Sequence, residues 1–108
     1  MVQQITVHDL AKRLAAGEPT YLLDVRQPWE HHAAALANST LVPLDQLDTH
    51  IDEVTPPDGA MVVAYCHHGV RSLSAAAILE HHGFTNVVSL MGGIDQWSLR
   101  VDPKIPRY

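Results

Sequence analysis

Short apolar runs recur along the chain, and each is bounded by turn residues or charged residues. Such runs are typical of strands that are buried on both faces of a parallel sheet. The clearest is Met61–Tyr65, in which every residue is apolar. The pattern predicts strands at Tyr21–Val25, Thr40–Val42, Met61–Tyr65 and Asn86–Ser89.

Between these runs the apolar residues recur at helical spacing. Thr6, with Asp9 three residues later, indicates the start of a helix that ends at Gly17. The alanine-rich segment Ser72–His82 predicts a second helix, which Gly83 ends. Further helices are predicted at Pro28–Ala35, from Asp45 to about Ile51, and around Trp97. Strands that alternate with helices favour an α/β fold with a largely parallel sheet.

The composition is that of one ordinary globular domain. The chain has 108 residues, of which 46% are hydrophobic and 18% are charged. We therefore expect a single domain over residues 1–108, with residues 99–108 as an extended C-terminal tail. The net charge of −5 and the lack of a Lys/Arg run argue against nucleic acid and membrane as partners. Because no signal peptide is visible at the start, the expected location is cytoplasmic.

Cys66 is the only cysteine, so an intrachain disulfide is excluded. It follows the strand predicted at Met61–Tyr65, and the next helix begins about five residues later. Ligands bind at this position in open parallel sheets, and the helix N-terminus there favours an anion such as a thiolate. A cysteine after a strand is also common as a small buried apolar residue. Gly69, Arg71 and the two histidines that directly follow Cys66 favour a reactive thiol, because they make the loop polar and suited to anions.

Three segments resemble motifs of the rhodanese-like domain family. Cys66–Ser72 (CHHGVRS) is similar to its Cys-x-x-Gly-x-Arg-Ser active-site loop. Leu23–Glu30 (LDVRQPWE) resembles its Asp-Val-Arg-x-Pro-x-Glu segment. Gly83–Val87 followed by Leu90–Trp97 (LMGGIDQW) resembles its closing signature. Ala34–Ser39 (AALANS) departs from the Gly-His-Ile-Pro-Gly-Ala stretch of the family, so the resemblance does not predict the shape of this turn.

The resemblance implies a mostly parallel five-stranded sheet flanked by helices, and a sulfurtransferase of the thiosulfate type. Cys66 would take sulfur from a small donor, either thiosulfate or a persulfide, and hold it as a persulfide. The acceptor would be cyanide, a thiol or a sulfur-carrier protein, and no cofactor is expected. The implied site consists of catalytic Cys66, the loop residues His67, His68, Gly69, Val70, Arg71 and Ser72, and the loop-supporting residues Asp24, Arg26 and Glu30.

Two roles are open for Arg71: it binds the anionic donor, or it holds the loop through a salt bridge to Asp24 or Glu30. The planar guanidinium suits the second role better. His67 and His68 either attract the donor and move protons, or are exposed loop residues.

The other paired histidines, at positions 31–32 and 81–82, fit the surface of helices. Adjacent side chains on a helix point in different directions, so no metal site is predicted there. Trp29 and Trp97 are predicted to anchor the core.

Two other functions remain open from the sequence. A rhodanese-like module can act in binding or redox sensing without catalysis, although modules of that kind usually lack the cysteine. Small phosphatases and arsenate reductases use a Cys-x5-Arg loop that surrounds a tetrahedral oxyanion, whereas four residues separate Cys66 from Arg71. The shorter loop suits a sulfur atom better than a phosphate and favours sulfur transfer.

Overall fold

The computed structural model describes residues 2–108. Over this range the strands are β1 (Gln3–Ile5), β2 (Thr20–Asp24), β3 (Thr40–Leu41), β4 (Met61–Tyr65) and β5 (Val87–Leu90). The α-helices are α1 (Val7–Ala15), α2 (Pro28–Ala33), α3 (Leu44–Leu47), α4 (Arg71–His81) and α5 (Gly93–Arg100), with a 3₁₀ helix at Ile51–Glu53. None of the helices in these residues is long and apolar enough to cross a membrane.

The five strands within residues 2–108 form one sheet in the order β1-β5-β4-β2-β3, and every neighbouring pair is parallel. The predicted α/β fold with a five-stranded parallel sheet is confirmed. The four strands predicted from apolar runs match β2 to β5 to within one residue at each end. The carboxyl ends of parallel strands share one side of the sheet, which we call the carboxyl edge.

Strand β1 is absent from the apolar pattern because Gln3 and Gln4 are polar and exposed. Its backbone nevertheless pairs with β5, with Gln3 opposite Val88 and Ile5 opposite Leu90. An edge strand is paired along one side only, so polar side chains are tolerated there.

The core lies on both faces of the sheet, as the alternation along β4 requires. Val62 and Ala64 belong to the cluster that packs under α3 and α4. Val63 and Tyr65 belong to the opposite cluster, which includes Trp97 of α5.

Three expectations need correction or completion. Trp97 is buried as predicted, but Trp29 is 65% exposed, so the prediction that it anchors the core is wrong. Leu99 and Arg100 belong to α5, so the tail starts at Val101. The turn that departs from the family pattern contains Asn38 with φ of 63°, a left-handed conformation that asparagine tolerates better than most residues.

Candidate active site

Cys66 directly follows β4 at the carboxyl edge, and it is almost fully buried. Its Sγ accepts hydrogen bonds from the backbone N–H groups of Gly69 at 3.2 Å and Ser72 at 3.4 Å. The Ser72 hydroxyl lies 3.6 Å from the same sulfur and is bonded to the Ser89 hydroxyl at 2.7 Å. The two backbone N–H groups that donate to the sulfur form a setting that stabilises negative charge on it.

Gly69 allows the loop to turn its N–H groups inward. Its φ is 96°, and a Cβ built there would lie 2.9 Å from the backbone nitrogen of Gly92. Any other residue would be strained in this conformation and would push against the turn before α5.

The start of α5 holds the other side of the loop. The N–H of Ile94 donates to the carbonyl of Cys66 at 2.9 Å, and the N–H of Asp95 donates to the carbonyl of His67 at 3.1 Å. Gly93 has φ of 62°, and a Cβ there would overlap both carbonyl groups. The free N–H groups in the first turn of α5 thus find their hydrogen-bond acceptors in the backbone carbonyl groups of the loop.

Arg71, the first residue of α4, makes a two-pronged ion pair with Glu30 of α2. Its Nη1 and Nη2 donate to Oε1 and Oε2 at 2.7 and 2.8 Å. Glu30 is buried and also accepts from the N–H of Gln27. The hydrogen bonds from Arg71 outweigh the effect of burial and lower the pKa of Glu30 to about 2.

Asp24 does not pair with Arg71. Both of its oxygens accept from the Arg26 guanidinium, at 2.8 and 2.7 Å, and both of these side chains are completely buried. His31 also contacts Asp24, at 2.7 Å, so His31 is more than a surface residue of α2. The expectation that Asp24 is an alternative partner of Arg71 is therefore wrong: Asp24 holds Arg26 instead.

The two loop histidines stack on each other, with ring centroids 3.9 Å apart. His67 is also stacked on Tyr108, at 4.1 Å and 13° between planes. Burial lowers the pKa of His67 below its ordinary value, and the neighbouring His68 lowers it further. His68 is largely exposed, with Nδ1 3.8 Å from Asp95. Burial thus disfavours the charged form of His67, and His68 is the more accessible of the two.

Sequence reasoning missed several residues that shape this site. Gly92 and Gly93 were visible as part of the closing signature, but their contact with the loop was not. Ser89 lies in a strand, where its polar side chain among apolar neighbours was the available signal. Tyr108 lies in the tail, which was expected to run over the surface, so nothing in its sequence context pointed to the site.

Fold and geometry together define an α/β protein that presents one cysteine sulfur in a cradle of backbone N–H groups at the carboxyl edge of its sheet. In residues 2–108, no group of three or more His, Cys, Asp or Glu side chains is arranged to hold a metal ion.

Comparison with known proteins identifies the family. The family model of the rhodanese-like domain matches residues 6–100, and the chain belongs to the rhodanese-like domain family. A sulfurtransferase of Allochromatium vinosum is 34% identical over 98 residues, which cover 91% of this chain and 90% of that protein. The crystal structure of a rhodanese-related protein from Thermoplasma volcanium has a TM-score of 0.81 and 28% identity, and covers 98% of this chain and 99% of that one.

Some relatives are much longer than this chain. The adenylyltransferase and sulfurtransferase uba4 of Ogataea parapolymorpha is 35% identical over 97 residues, which cover 90% of this chain but 25% of that protein. The chain thus spans about a quarter of the length of the first curated relatives it matches.

Proposed function

We propose that this protein transfers sulfane sulfur through a persulfide on Cys66, with thiosulfate as a donor. The observation that carries the proposal is that the N–H groups of Gly69 and Ser72 both point at Cys66 Sγ. We infer that these groups stabilise the thiolate that attacks, and that N–H groups of the same loop stabilise the anionic outer sulfur of the persulfide.

The transfer proceeds in two balanced steps. The Cys66 thiolate attacks the outer sulfur of thiosulfate, a new S–S bond forms on Cys66, and sulfite leaves with the electron pair of the broken bond. Cyanide or a thiolate then attacks the outer sulfur, and the electron pair of the S–S bond returns to Cys66. Neither step needs a cofactor or an external oxidant.

Charges around the loop are compatible with an anionic donor. Glu30 is neutralised by Arg71, and Asp24 is neutralised by Arg26. Arg107 donates to Asp95 at 2.9 Å and lowers its pKa, so this carboxylate is paired as well. Paired carboxylates repel a dianion much less than free ones would.

Arg71 argues against a phosphatase. A phosphate would need the arginine of the loop for its equatorial oxygens, but two guanidinium nitrogens of Arg71 are bonded to Glu30. Together with the short spacing from Cys66, this supports sulfur rather than phosphate as the group transferred.

The acceptor belongs to the proposal as well. Cyanide and small thiols are the simplest acceptors, and a thiol on a sulfur-carrier protein is a further one.

An intact-mass measurement tests the persulfide. After incubation with thiosulfate, we expect the protein to gain the mass of one sulfur atom, and cyanide to remove it with release of thiocyanate. The Cys66→Ser variant should gain nothing. Failure of the wild-type protein to take sulfur from thiosulfate or from small persulfides would contradict sulfur transfer and favour a binding or redox-sensing module. Hydrolysis of a phosphate ester that depends on Cys66 would favour a phosphatase.

A further inference from the structure

Tyr108 connects two ion pairs beside the loop, the buried pair of Asp24 and Arg26 and the partly buried pair of Glu30 and Arg71. Its hydroxyl oxygen accepts from Nη1 of Arg26 at 2.8 Å, and its O–H donates to Oε2 of Glu30 at 2.7 Å. The donor assignment follows from the groups, because a guanidinium only donates and a carboxylate only accepts. One chain of hydrogen bonds therefore runs from Asp24 through Arg26, Tyr108 and Glu30 to Arg71.

The aromatic ring of Tyr108 makes a separate contact with the loop. It lies nearly parallel to the ring of His67, the residue next to Cys66, and it makes a T-shaped contact with Trp29, with ring centroids 5.8 Å apart. Burial raises the pKa of Tyr108 to about 12, so the phenol stays neutral and keeps its proton for Glu30 over the physiological pH range.

The segment that carries Tyr108 is itself held in place. Ile105 packs against the core cluster around Trp97, and its carbonyl accepts from the Ser98 hydroxyl. Arg107 is paired with Asp95 at the start of α5. Tyr108 thus reaches the loop from a segment that is attached along its length.

We propose that Tyr108 is a positioning residue for the Cys66 loop. Its ring fixes the beginning of the loop at His67, and its hydroxyl, through Glu30, fixes the end at Arg71. The N–H groups of Gly69 and Ser72 lie within and just beyond this stretch. Holding both ends of the loop therefore sets the direction in which these groups point at Cys66 Sγ. The inference rests on the sulfur transfer proposed above.

Tyr108→Phe removes the hydroxyl and keeps the ring. Because one end of the loop is then held less firmly, we expect kcat for thiosulfate:cyanide transfer to fall about tenfold. This loss is smaller than the roughly hundredfold loss in rate that a misplacement of ~1 Å can cause. The KM for thiosulfate should stay within about twofold, since Tyr108 acts on the loop rather than on the donor. Tyr21→Phe is the matched control, because its hydroxyl contacts Glu53 and Thr55 and no loop residue.

The titration of His67, followed by NMR, separates the ring from the hydroxyl. Tyr108→Phe should keep the lowered pKa of His67, whereas Tyr108→Leu should let it rise because the stacked ring is gone. A merely structural role would change stability without this separation. A Tyr108→Phe protein with the kcat of the wild type would overturn the proposal, as would a loss of kcat matched by an equal loss of folded protein.

Two further measurements keep the test independent of folding defects and of the proposed function. In a double-mutant cycle, Tyr108→Phe and Glu30→Gln should be strongly non-additive in kcat, because both break the same connection, and additivity would contradict it. The rate of Cys66 alkylation by iodoacetamide needs no sulfur donor. If the wild type takes sulfur neither from thiosulfate nor from small persulfides, the proposed function fails. A several-fold change in alkylation rate in Tyr108→Phe would still support positioning, and an unchanged rate would overturn it.

Discussion

Arg71 and Glu30 meet with two N–H groups on two carboxylate oxygens, a geometry that an ammonium group cannot reproduce. This pairing ties the first residue of α4 to α2, and the N–H of Ser72 follows it immediately. The direction of that N–H towards Cys66 therefore depends on the pair. Of the two roles open for Arg71 from the sequence, the geometry favours holding the loop.

Arg71→Lys should separate these two roles. If the arginine holds the loop, we expect kcat for sulfur transfer to fall roughly tenfold, while the KM for thiosulfate stays nearly constant. A misplacement of ~1 Å costs about a hundredfold in rate, and the N–H donors of the loop should shift by only a fraction of that distance. Steady-state kinetics at varied thiosulfate give both constants. Arg13→Lys is the control, since Arg13 pairs with exposed Glu18 at 3.5 Å. A raised KM with an unchanged kcat would instead assign Arg71 to donor binding.

At the scale of elements, the site depends on contact between two loops at the carboxyl edge. The turn before α5 packs on the loop between β4 and α4 so closely that glycine is needed on both sides, at Gly69 and at Gly93. The N–H groups at the start of α5 then bind the carbonyl groups of Cys66 and His67. Backbone contact of this kind sets the shape of the loop without using any side chain.

Gly93→Ala tests that contact. The new methyl group overlaps the carbonyl groups of Cys66 and His67, so we expect the loop to be displaced and the alkylation of Cys66 to change several-fold. Gly17→Ala is the matched control, because its φ of 70° resembles the 62° of Gly93 but no atom lies within 4 Å of its added Cβ.

Gly17→Ala should lower the free energy of unfolding by only about 1–2 kcal/mol, which is the cost of placing a residue other than glycine in the left-handed conformation. Gly93→Ala should lose clearly more, measured by urea denaturation. Equal losses in the two variants, with unchanged alkylation, would show that the close approach at Gly93 has no role.

The sequence predicts most of the elements, because apolar runs and helix boundaries report local burial. It does not predict β1, whose glutamines carry no apolar signal and whose partner strand lies more than eighty residues away. It misplaces Trp29, since a large aromatic residue is usually buried, whereas here Trp29 is exposed and makes a T-shaped contact with Tyr108. Each failure concerns a contact between segments that are distant in the chain.

At the scale of the whole molecule, the site gathers residues from segments near positions 24–31, 66–72, 89–95 and 105–108. Parallel strands predict that the first three meet at the carboxyl edge, and so Cys66, Arg71 and Glu30 could be grouped from the sequence. No such rule applies to a tail, and the position of Tyr108 depends on the packing of Ile105 and the pairing of Arg107. The position of Cys66 at the carboxyl edge was thus predictable, and the contact of Tyr108 with its loop was not.

The partly buried ion pair of Glu30 and Arg71 also makes the stability of the molecule depend on pH. Glu30 has a pKa of about 2 in the folded protein against an ordinary value of 4.5, chiefly because Arg71 donates to it. A carboxyl group whose pKa is lowered by folding contributes stability above its unfolded pKa and loses it as the pH falls through the folded pKa. The contribution, on the order of 3 kcal/mol, should therefore be present at pH 5 and above and disappear between about pH 4.5 and pH 2.

Glu30→Gln should reveal this contribution as a difference that changes with pH. At pH 7 the variant should be less stable than the wild type, because Arg71 loses its charged partner. The difference in the free energy of unfolding should shrink steadily from pH 4.5 towards pH 2, where the wild-type carboxyl group also becomes neutral. Urea denaturation at several pH values measures it, with Glu18→Gln as the control at an exposed carboxylate. A difference that stays constant over this range would mean that the charge of Glu30 does not stabilise the fold, and that the pair with Arg71 only orients the loop.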